Sequence, residues 1–107
     1  MAKRRDIVLA RIFFSDSPES KVRPCVILSN DSYHNEGFLM VSPITTSIDN
    51  YCIPMNEKDA NCPMDTNSNA RFDCVIKISD KLVVHGIGKV TPEFYSKLVE
   101  KIIGMLK

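Results

Sequence analysis

The chain has 107 residues, of which 44% are hydrophobic and 25% charged, an ordinary composition for a soluble globular protein. This length predicts a single domain over residues 1–107. A formal net charge of +1 excludes binding to nucleic acid through bulk positive charge. No apolar run approaches the roughly 18 residues that cross a bilayer, and no signal peptide is recognisable. We therefore expect a cytoplasmic protein without membrane contact.

Short runs rich in β-branched and aromatic residues predict six strands, at residues 7–14, 24–28, 38–44, 51–54, 70–78 and 82–90. The second strand should begin near Pro24, because proline has no N–H to donate inside a sheet. Its uninterrupted apolar run, residues 25–28, predicts a strand that is covered on both faces. Gly86 and Gly88 predict a bulge or tight bend in the last strand.

The connections between these strands are polar. Residues 15–20 and 29–37 have the composition of a loop and a turn. Residues 56–69 carry many Asp and Asn side chains and little apolar content, which predicts a long surface excursion. Loops of this length are often functional or mobile.

A helix is predicted at the C-terminal end of the chain. Thr91 is a suitable cap, Pro92 suits the first helical position, and Glu93 suits the first turn. One apolar stripe at helical spacing should cover the sheet: Phe94, Tyr95, Leu98, Val99, Ile102, Ile103 and Leu106. Short strands followed by one helix predict a mainly β protein, a small and strongly bent barrel.

The cysteines and histidines do not form a metal-binding pattern. None of the four cysteines belongs to a Cys-x-x-Cys pair, and the histidines are distant from them in sequence, so no metal or cofactor is expected. Cys25 and Cys74 lie in apolar runs and are predicted to be buried. His85 is predicted to be packed or hydrogen-bonded, and His34, in the turn after the second strand, to be exposed.

Polar side chains at strand ends carry the main functional signal. Arg23 precedes an apolar strand and presents a planar fork that can bind two phosphate oxygens. Thr45 and Thr46 end the next strand and offer hydroxyl donors. Arg71 and Asp73, two residues apart on a predicted strand, place a cation and a carboxylate on one face. Taken singly, each has an ordinary structural explanation, such as an exposed ion pair.

Six cations in the first quarter of the chain can concentrate charge locally despite the balanced total: Lys3, Arg4, Arg5, Arg11, Lys21 and Arg23. For the first three, a solvated N-terminal face explains the pattern equally well. Lys21 lies two residues before Arg23 and is a candidate substrate contact. Tyr33 and Tyr51 are candidates for stacking on nucleic-acid bases.

In this order, these residues resemble the MazF/PemK family of toxin ribonucleases over nearly the whole chain. Arg23 matches the Arg of the family's Arg-Pro strand opening, and Thr45 matches the Thr of its Ile-Thr strand ending. Arg71 and Asp73 look like the Arg-x-Asp of the PemK/Kid branch. The chain departs from the family at Arg5, where a Gly usually precedes the first-strand Asp, and in a first loop that lacks the family's Gly residues.

The resemblance implies an SH3-like barrel, a homodimer and a cognate antitoxin as partner. It also implies a metal-independent, sequence-preferring endoribonuclease that cleaves single-stranded RNA. The 2′-hydroxyl would attack the adjacent phosphate, with Asp73 as base, Arg71 as acid, and Arg23 and Thr45 on the phosphate. Because the pKa of arginine lies above about 12, an alternative is that Arg71 only stabilises charge while water or Arg23 shares the proton transfer. The implied substrate contacts are Lys21, Thr46, Tyr33 and Tyr51.

Two other functions remain open at this point. A non-catalytic module of the same fold would bind RNA or a protein partner without cleaving RNA. A gyrase poison similar to the CcdB toxins is less favoured, because those toxins rely on a Trp-bearing C-terminus and this sequence contains no Trp.

Overall fold

The computed structural model describes residues 2–13 and 18–107. Two 3-10 turns lie at Glu57–Asp59 and Asp80–Leu82. The strands and α-helices follow in the order β1 (Asp6–Phe13), β2 (Ser20–Ile27), α1 (Asp31–His34), β3 (Phe38–Thr45), β4 (Cys52–Pro54), β5 (Asn69–Arg71), β6 (Ile76–Ser79), β7 (Val83–Lys89) and α2 (Pro92–Met105). The predicted class, mainly β with a C-terminal helix, is confirmed.

The strands form one antiparallel sheet in the order β4-β5-β3-β2-β1-β7, with β6 also paired to β3. The two halves of β3 have different neighbours on one edge, since residues 38–41 pair with β6 whereas Ile44 and Thr45 pair with β5. Among the described residues, β4 and β7 do not pair with each other. The sheet is consistent with the predicted bent barrel, but it is not closed.

The predicted start of the second strand is wrong. β2 begins at Ser20, four residues before Pro24. It pairs with β1 along residues 20–26, whereas its pairing with β3 starts only at Cys25. Pro24 therefore lies just outside the ladder between β2 and β3, where its missing N–H removes no hydrogen bond between these two strands. One-sided pairing of this kind is not visible in the sequence.

Two other segments differ from prediction in detail. The single strand expected over residues 70–78 is divided into β5 and β6, which lie against the same edge of β3 with residues 72–75 between them. The turn-rich segment after β2 contains α1, whose first turn is capped by Asn30, because the Asn30 Oδ1 accepts a hydrogen bond from Tyr33 N at 3.0 Å.

Two apolar clusters cover the two faces of the sheet. Cys25 and Ile27 belong to one, and Val26 to the other, because successive side chains of a strand point to opposite faces. All three are fully buried, which confirms the prediction of a strand covered on both faces. The cluster that includes α2 comprises Ile7, Val26, Ile44, Ile53, Met55, Ala70, Val90, Phe94 and Leu98. The second comprises Val8, Ala10, Ile12, Cys25, Ile27, Leu39, Val41 and Ile78.

The C-terminal helix begins as predicted. Thr91 Oγ1 accepts a hydrogen bond from Phe94 N at 3.1 Å, and a proline occupies the first turn. Phe94 and Leu98 are buried against the sheet, but Ile103 is 45% exposed and Leu106 is 81% exposed. The predicted apolar stripe therefore packs against the sheet from Phe94 to the partly buried Ile102, but not at Ile103 and Leu106.

A bulge in β7 is also confirmed, since the register between β1 and β7 shifts twice. Gly88 lies so close to the long loop that a Cβ there would be 2.5 Å from Cys62 Sγ. Next to it, Lys89 N donates a hydrogen bond to Asn61 Oδ1 at 2.8 Å. These contacts attach the 56–69 segment to β7, and this attachment matters because the same segment forms one wall of the candidate site.

The predictions for both histidines are wrong. His34 is buried, with Nε2 2.8 Å from Ser29 Oγ and Nδ1 3.1 Å from Ala2 O, because α1 packs beside the N-terminal segment. His85 is exposed on β7, the last strand in the sheet order. Cys25 is buried as predicted, whereas Cys74 is only half-buried because it lies in the break between β5 and β6.

Within the described residues, no helix has the length and apolar character needed to span a membrane. The predicted end of the first strand at Phe14 and residues 15–17 of the predicted first loop lie outside the described residues.

Candidate active site

A cavity of about 290 Å³ lies where the pairing between β2 and β3 ends. Three residues predicted from the sequence line it: Arg23, Thr45 and Thr46. The remaining lining comes from the sheet and from the loop before β5, namely Leu9, Pro24, Ile44, Ile87, Pro63, Met64, Asp65 and Ser68. In the described part of the chain, a cation, three hydroxyl groups and one carboxylate thus share a cavity with apolar side chains.

The strand register explains why Arg23 and Thr45 meet. The ladder runs from Ile27 opposite Val41 to Cys25 opposite Pro43. The same register continued by two residues sets Arg23 opposite Thr45, and opposed residues of antiparallel strands have Cα atoms about 5 Å apart. Both predicted residues therefore lie where the ladder between β2 and β3 ends, with Thr45 at the end of β3 and Arg23 in the middle of β2.

Thr45 is held in place from two directions. Its Oγ1 accepts a hydrogen bond from Ser47 N at 3.1 Å, and its backbone pairs with Asn69 at the start of β5. The buried Asn69 amide donates to the carbonyl oxygens of Asn67 at 2.8 Å and of Thr45 and Ser47 at 3.5 Å each. Asn69 thus ties the end of β3 to the loop before β5, a positioning role that the sequence did not reveal.

Arg71 and Asp73 form a separate ion-pair cluster with Asp49. Arg71 Nε donates to Asp73 Oδ1 at 2.9 Å, and Nη2 lies 3.0 Å from both Asp73 Oδ2 and Asp49 Oδ2. The third guanidinium nitrogen, Nη1, lies 3.6 Å from Cys52 Sγ. Nothing in the sequence around Asp49 indicates a partner 22 residues away.

The cluster shifts the pKa values of its members in opposite directions. The hydrogen bonds to Asp73, and then those to Asp49, raise the pKa of Arg71 above its already high ordinary value. The backbone N–H of Tyr51, followed by the Arg71 guanidinium, lowers the pKa of Asp49. The Cys52 thiol beside them has a raised pKa, mainly because it is partly desolvated. At neutral pH the guanidinium and the Asp49 carboxyl group are therefore both charged.

The ion-pair cluster neighbours the cavity but does not line it. Thr45 pairs with Asn69, and Arg71 lies two residues further along β5, about 7 Å at the rise of a strand. The structure therefore brings Arg23, Thr45 and Thr46 around one cavity, and it places Arg71 and Asp73 beside that group.

The predicted substrate contacts are dispersed. Lys21 is exposed on β2, two residues before Arg23. Tyr51 is 45% exposed and lies beside the ion-pair cluster, with its ring edge-on to Phe72 at a centroid distance of 6.0 Å. Tyr33 lies on α1, which follows the opposite end of β2, and it does not line the cavity.

The long loop supplies site residues that were not predicted individually. Met64, Asp65 and Ser68 line the cavity. A side-chain turn fixes the loop there, because Asp65 Oδ1 accepts a hydrogen bond from Asn67 N at 3.0 Å. Its length and polar composition indicated a functional loop, but not which side chains face the strands. In the described part of the chain, no group of three or more His, Cys, Asp or Glu side chains could hold a metal ion.

Solved structures with the same fold cover almost the entire chain. An endoribonuclease from a mycobacterial species, in complex with its cognate antitoxin, has a TM-score of 0.78 at 15% identity over 99% of this chain and 95% of its own. The MazE–MazF structure (Form-II) from Deinococcus radiodurans gives 0.79 at 12% identity over 98% and 95%. The Mycobacterium tuberculosis toxin MazF-mt6 gives 0.72 at 23% identity over 92% of each chain. At these identities the likeness establishes the fold alone.

Sequence comparison identifies the family. A search among curated protein sequences finds no significant match. The profile of the PemK-like, MazF-like toxins of type II toxin–antitoxin systems, however, matches residues 3–106, almost the full length given. The chain therefore belongs to the PemK-like, MazF-like toxin family.

Proposed function

We propose that this toxin is an endoribonuclease that cleaves single-stranded RNA and that a cognate antitoxin restrains it. The observation that carries the proposal is the cavity shared by Arg23, Thr45 and Thr46 where the ladder between β2 and β3 ends. A guanidinium fork and hydroxyl donors around one small open cavity suit a phosphodiester. Proteins of the same fold described as endoribonucleases lend further support.

In the proposed reaction the 2′-oxygen of one nucleotide forms a bond to its own 3′-phosphorus, and the bond from that phosphorus to the 5′-oxygen of the next nucleotide breaks. A base accepts the 2′-hydroxyl proton, and an acid or water gives a proton to the departing 5′-oxygen. The products are a 2′,3′-cyclic phosphate and a 5′-hydroxyl end. Arg23 binds the non-bridging oxygens, whose charge increases in the transition state, and Thr45 donates a hydrogen bond to the same phosphate.

The ion-pair cluster bears on the division of acid and base roles. Because hydrogen bonds to Asp73 and Asp49 raise the pKa of Arg71, this guanidinium retains its proton more firmly than an ordinary arginine. We assign Arg71 an electrostatic role and assign protonation of the 5′-oxygen to water. Asp73 remains the proposed base, held in orientation by its two hydrogen bonds from Arg71. Asp65, the carboxylate that lines the cavity, is the alternative.

Single-stranded RNA fits the exposed surface next to the cavity. Unpaired bases can be stacked on aromatic rings and read along their edges, which an RNA duplex does not permit. The half-exposed Tyr51 ring is available for stacking beside the ion-pair cluster, and exposed Lys21 adds a cation near Arg23. Thr46 extends the hydroxyl lining of the cavity.

The proposal extends to the partners and the compartment. Two of the proteins that share the fold are described with an antitoxin, as a complex with the cognate antitoxin and as MazE–MazF. We propose that this chain likewise binds a cognate antitoxin, that it functions as a homodimer, and that it acts in the cytoplasm, where messenger RNA is available.

The decisive experiment is incubation of the purified protein with long single-stranded transcripts in the presence of EDTA, followed by mapping of the cut ends. Cleavage at a recurring sequence, leaving cyclic phosphate and 5′-hydroxyl ends, is the expected result. A footprint on the RNA without strand scission would overturn the catalytic assignment and favour a binding module. Loss of cleavage in EDTA would overturn the metal-independent route.

A further inference from the structure

Two shallow cavities at the start of β1 share the side chains of Arg5 and Lys89. Their volumes are about 290 and about 280 Å³. Among the described residues, the charged ones that line them are five cations, Lys3, Arg4, Arg5, Lys58 and Lys89, and one acid, Asp31. In a chain whose formal net charge is only +1, this set, here called the basic cluster, is a local concentration of positive charge.

The cations of the basic cluster are positioned by specific contacts. Lys89 Nζ lies 3.0 Å from Asp6 Oδ1, which neutralises one of the five charges. The Arg4 guanidinium carbon lies 5.7 Å from the centre of the Tyr95 ring. Glu57 and Asp59 flank Lys58 in sequence but line neither cavity.

Arg5 holds an unusual backbone conformation. Its φ is +76°, in the left-handed region that favours glycine and is unfavourable for a residue with a Cβ. Two backbone hydrogen bonds maintain it, from Arg5 N to Ile27 O and from Val90 N to Arg5 O, and the side chain adds a third from Nη1 to Val90 O. Glycine would satisfy the backbone at this position without strain. The side chain, which lines both cavities, is therefore the feature that a glycine would not supply.

The basic cluster lies within reach of a nucleic-acid strand bound at the active-site cavity. On β1, Asp6 pairs with Lys89, while Ala10 pairs with Arg23. Four residues along a strand correspond to about 13 Å, a distance that a few nucleotides of an extended strand can cover. The long loop runs between the two places, since Asn61 lines one of the basic cavities and Asp65 lines the active-site cavity.

We propose that the basic cluster is a second binding site for the RNA backbone, which holds phosphates that flank the cleaved nucleotide. The inference rests on the proposed ribonuclease function. Two arginines and three lysines at the edge of shallow cavities suit a chain of phosphates. Hot spots of protein interfaces fill well-packed, fully desolvated pockets, whereas these cavities are shallow and, among the described residues, Ala60 and Val90 are their apolar lining.

The test compares Arg5→Gly with the wild type and with Lys97→Ala, which removes an exposed cation from α2 away from the basic cluster. Binding is measured by fluorescence anisotropy with 2′-O-methyl oligouridylates of about 4 and about 16 nucleotides, which cannot undergo 2′-attack. Glycine suits the backbone of residue 5, so Arg5→Gly should unfold at a temperature close to that of the wild type.

We expect Arg5→Gly to weaken binding of the long oligonucleotide about fivefold at about 0.1 M salt and to reduce the slope of log K against log salt by about 0.7, the loss of one phosphate contact. Arg5→Gly should bind the short oligonucleotide as the wild type does, and Lys97→Ala should bind both oligonucleotides as the wild type does.

If Arg5→Gly binds the long oligonucleotide normally while the wild type cleaves transcripts, only the second site is refuted. If Arg5→Gly loses inhibition by the antitoxin but not RNA binding, the cluster serves a protein instead. If the wild type neither binds nor cleaves RNA, both proposals fail.

Discussion

Arg71 and Asp73 form a two-point ion pair, in which Nε lies 2.9 Å from Oδ1 and Nη2 lies 3.0 Å from Oδ2 of the same carboxylate. Nη2 also reaches Asp49 at 3.0 Å, so one guanidinium joins the connection before β4 to the end of β5. A planar donor with this many partners keeps its proton and fixes the carboxylates around it. The geometry favours an electrostatic role for Arg71 over proton donation.

Replacing Asp49 by Asn should reduce the acid sensitivity of the fold. The pKa of Asp49 lies below its ordinary 3.8, mainly because Tyr51 N–H and then Arg71 donate to the carboxylate. A carboxyl group with a lowered folded pKa contributes stability that is complete above its unfolded pKa and is lost as the pH falls through the folded pKa. Denaturant unfolding at several pH values between about 5 and about 2 should show that the free energy of unfolding falls less with acidification in Asp49→Asn than in the wild type. Identical pH profiles would contradict this.

Replacing Arg23 by Ala should lower the rate of RNA cleavage at least about 100-fold, a loss of about 3 kcal/mol in transition-state stabilisation, because the phosphate loses its guanidinium fork. Arg23→Lys, which retains the charge without the fork, should recover only part of the rate. The rate of single-turnover cleavage of one transcript is measured for the wild type, Arg23→Ala and Arg23→Lys. Circular dichroism verifies that each protein is folded. A folded Arg23→Ala protein that cleaves at the wild-type rate removes Arg23 from the mechanism.

Asp73→Asn should reduce cleavage by at least about 100-fold, the lower range for loss of a general base. Asp65→Asn is the matched comparison, since Asp65 lines the active-site cavity and Asp73 does not. Cleavage rates for both variants across the pH range identify the base, because only the variant that lacks it should lose the acidic limb of the profile. If Asp65→Asn shows that loss and Asp73→Asn does not, the base is the loop carboxylate.

The placement of Arg23 and Thr45 could be predicted from the sequence because each lies at the end of an apolar run, and antiparallel neighbours bring such ends together. Asp49, Asp65 and Asn69 could not be predicted, because their roles depend on tertiary contacts between a connection, a long loop and a strand end. His34 was misjudged for a similar reason, since its burial depends on contacts with Ala2, which is far away in the sequence. Polar residues in loops give no local signal of the element against which they pack.

Leu98→Ala should lower the free energy of unfolding by about 2–5 kcal/mol, because a fully buried side chain is replaced by a cavity between α2 and the sheet. Leu106→Ala, at the C-cap of the same helix and 81% exposed, should change it by less than about 0.5 kcal/mol. Urea denaturation of both variants provides the comparison. Equal losses would show that the end of α2 is covered in solution, as a subunit interface would require.

Cys25 should be the last of the four thiols to react with a labelling reagent. Burial raises its pKa from 9.0 to about 12, so the reactive thiolate is suppressed, while Cys52, Cys62 and Cys74 are only half-buried. Because the folded pKa is raised, this thiol contributes stability that is complete below its unfolded pKa and is lost as the pH rises from about 9 towards about 12. Mass spectrometry after timed alkylation at pH 8 gives the order of reaction. Labelling of Cys25 at the rate of the other three, without global unfolding, would show that β2 opens locally.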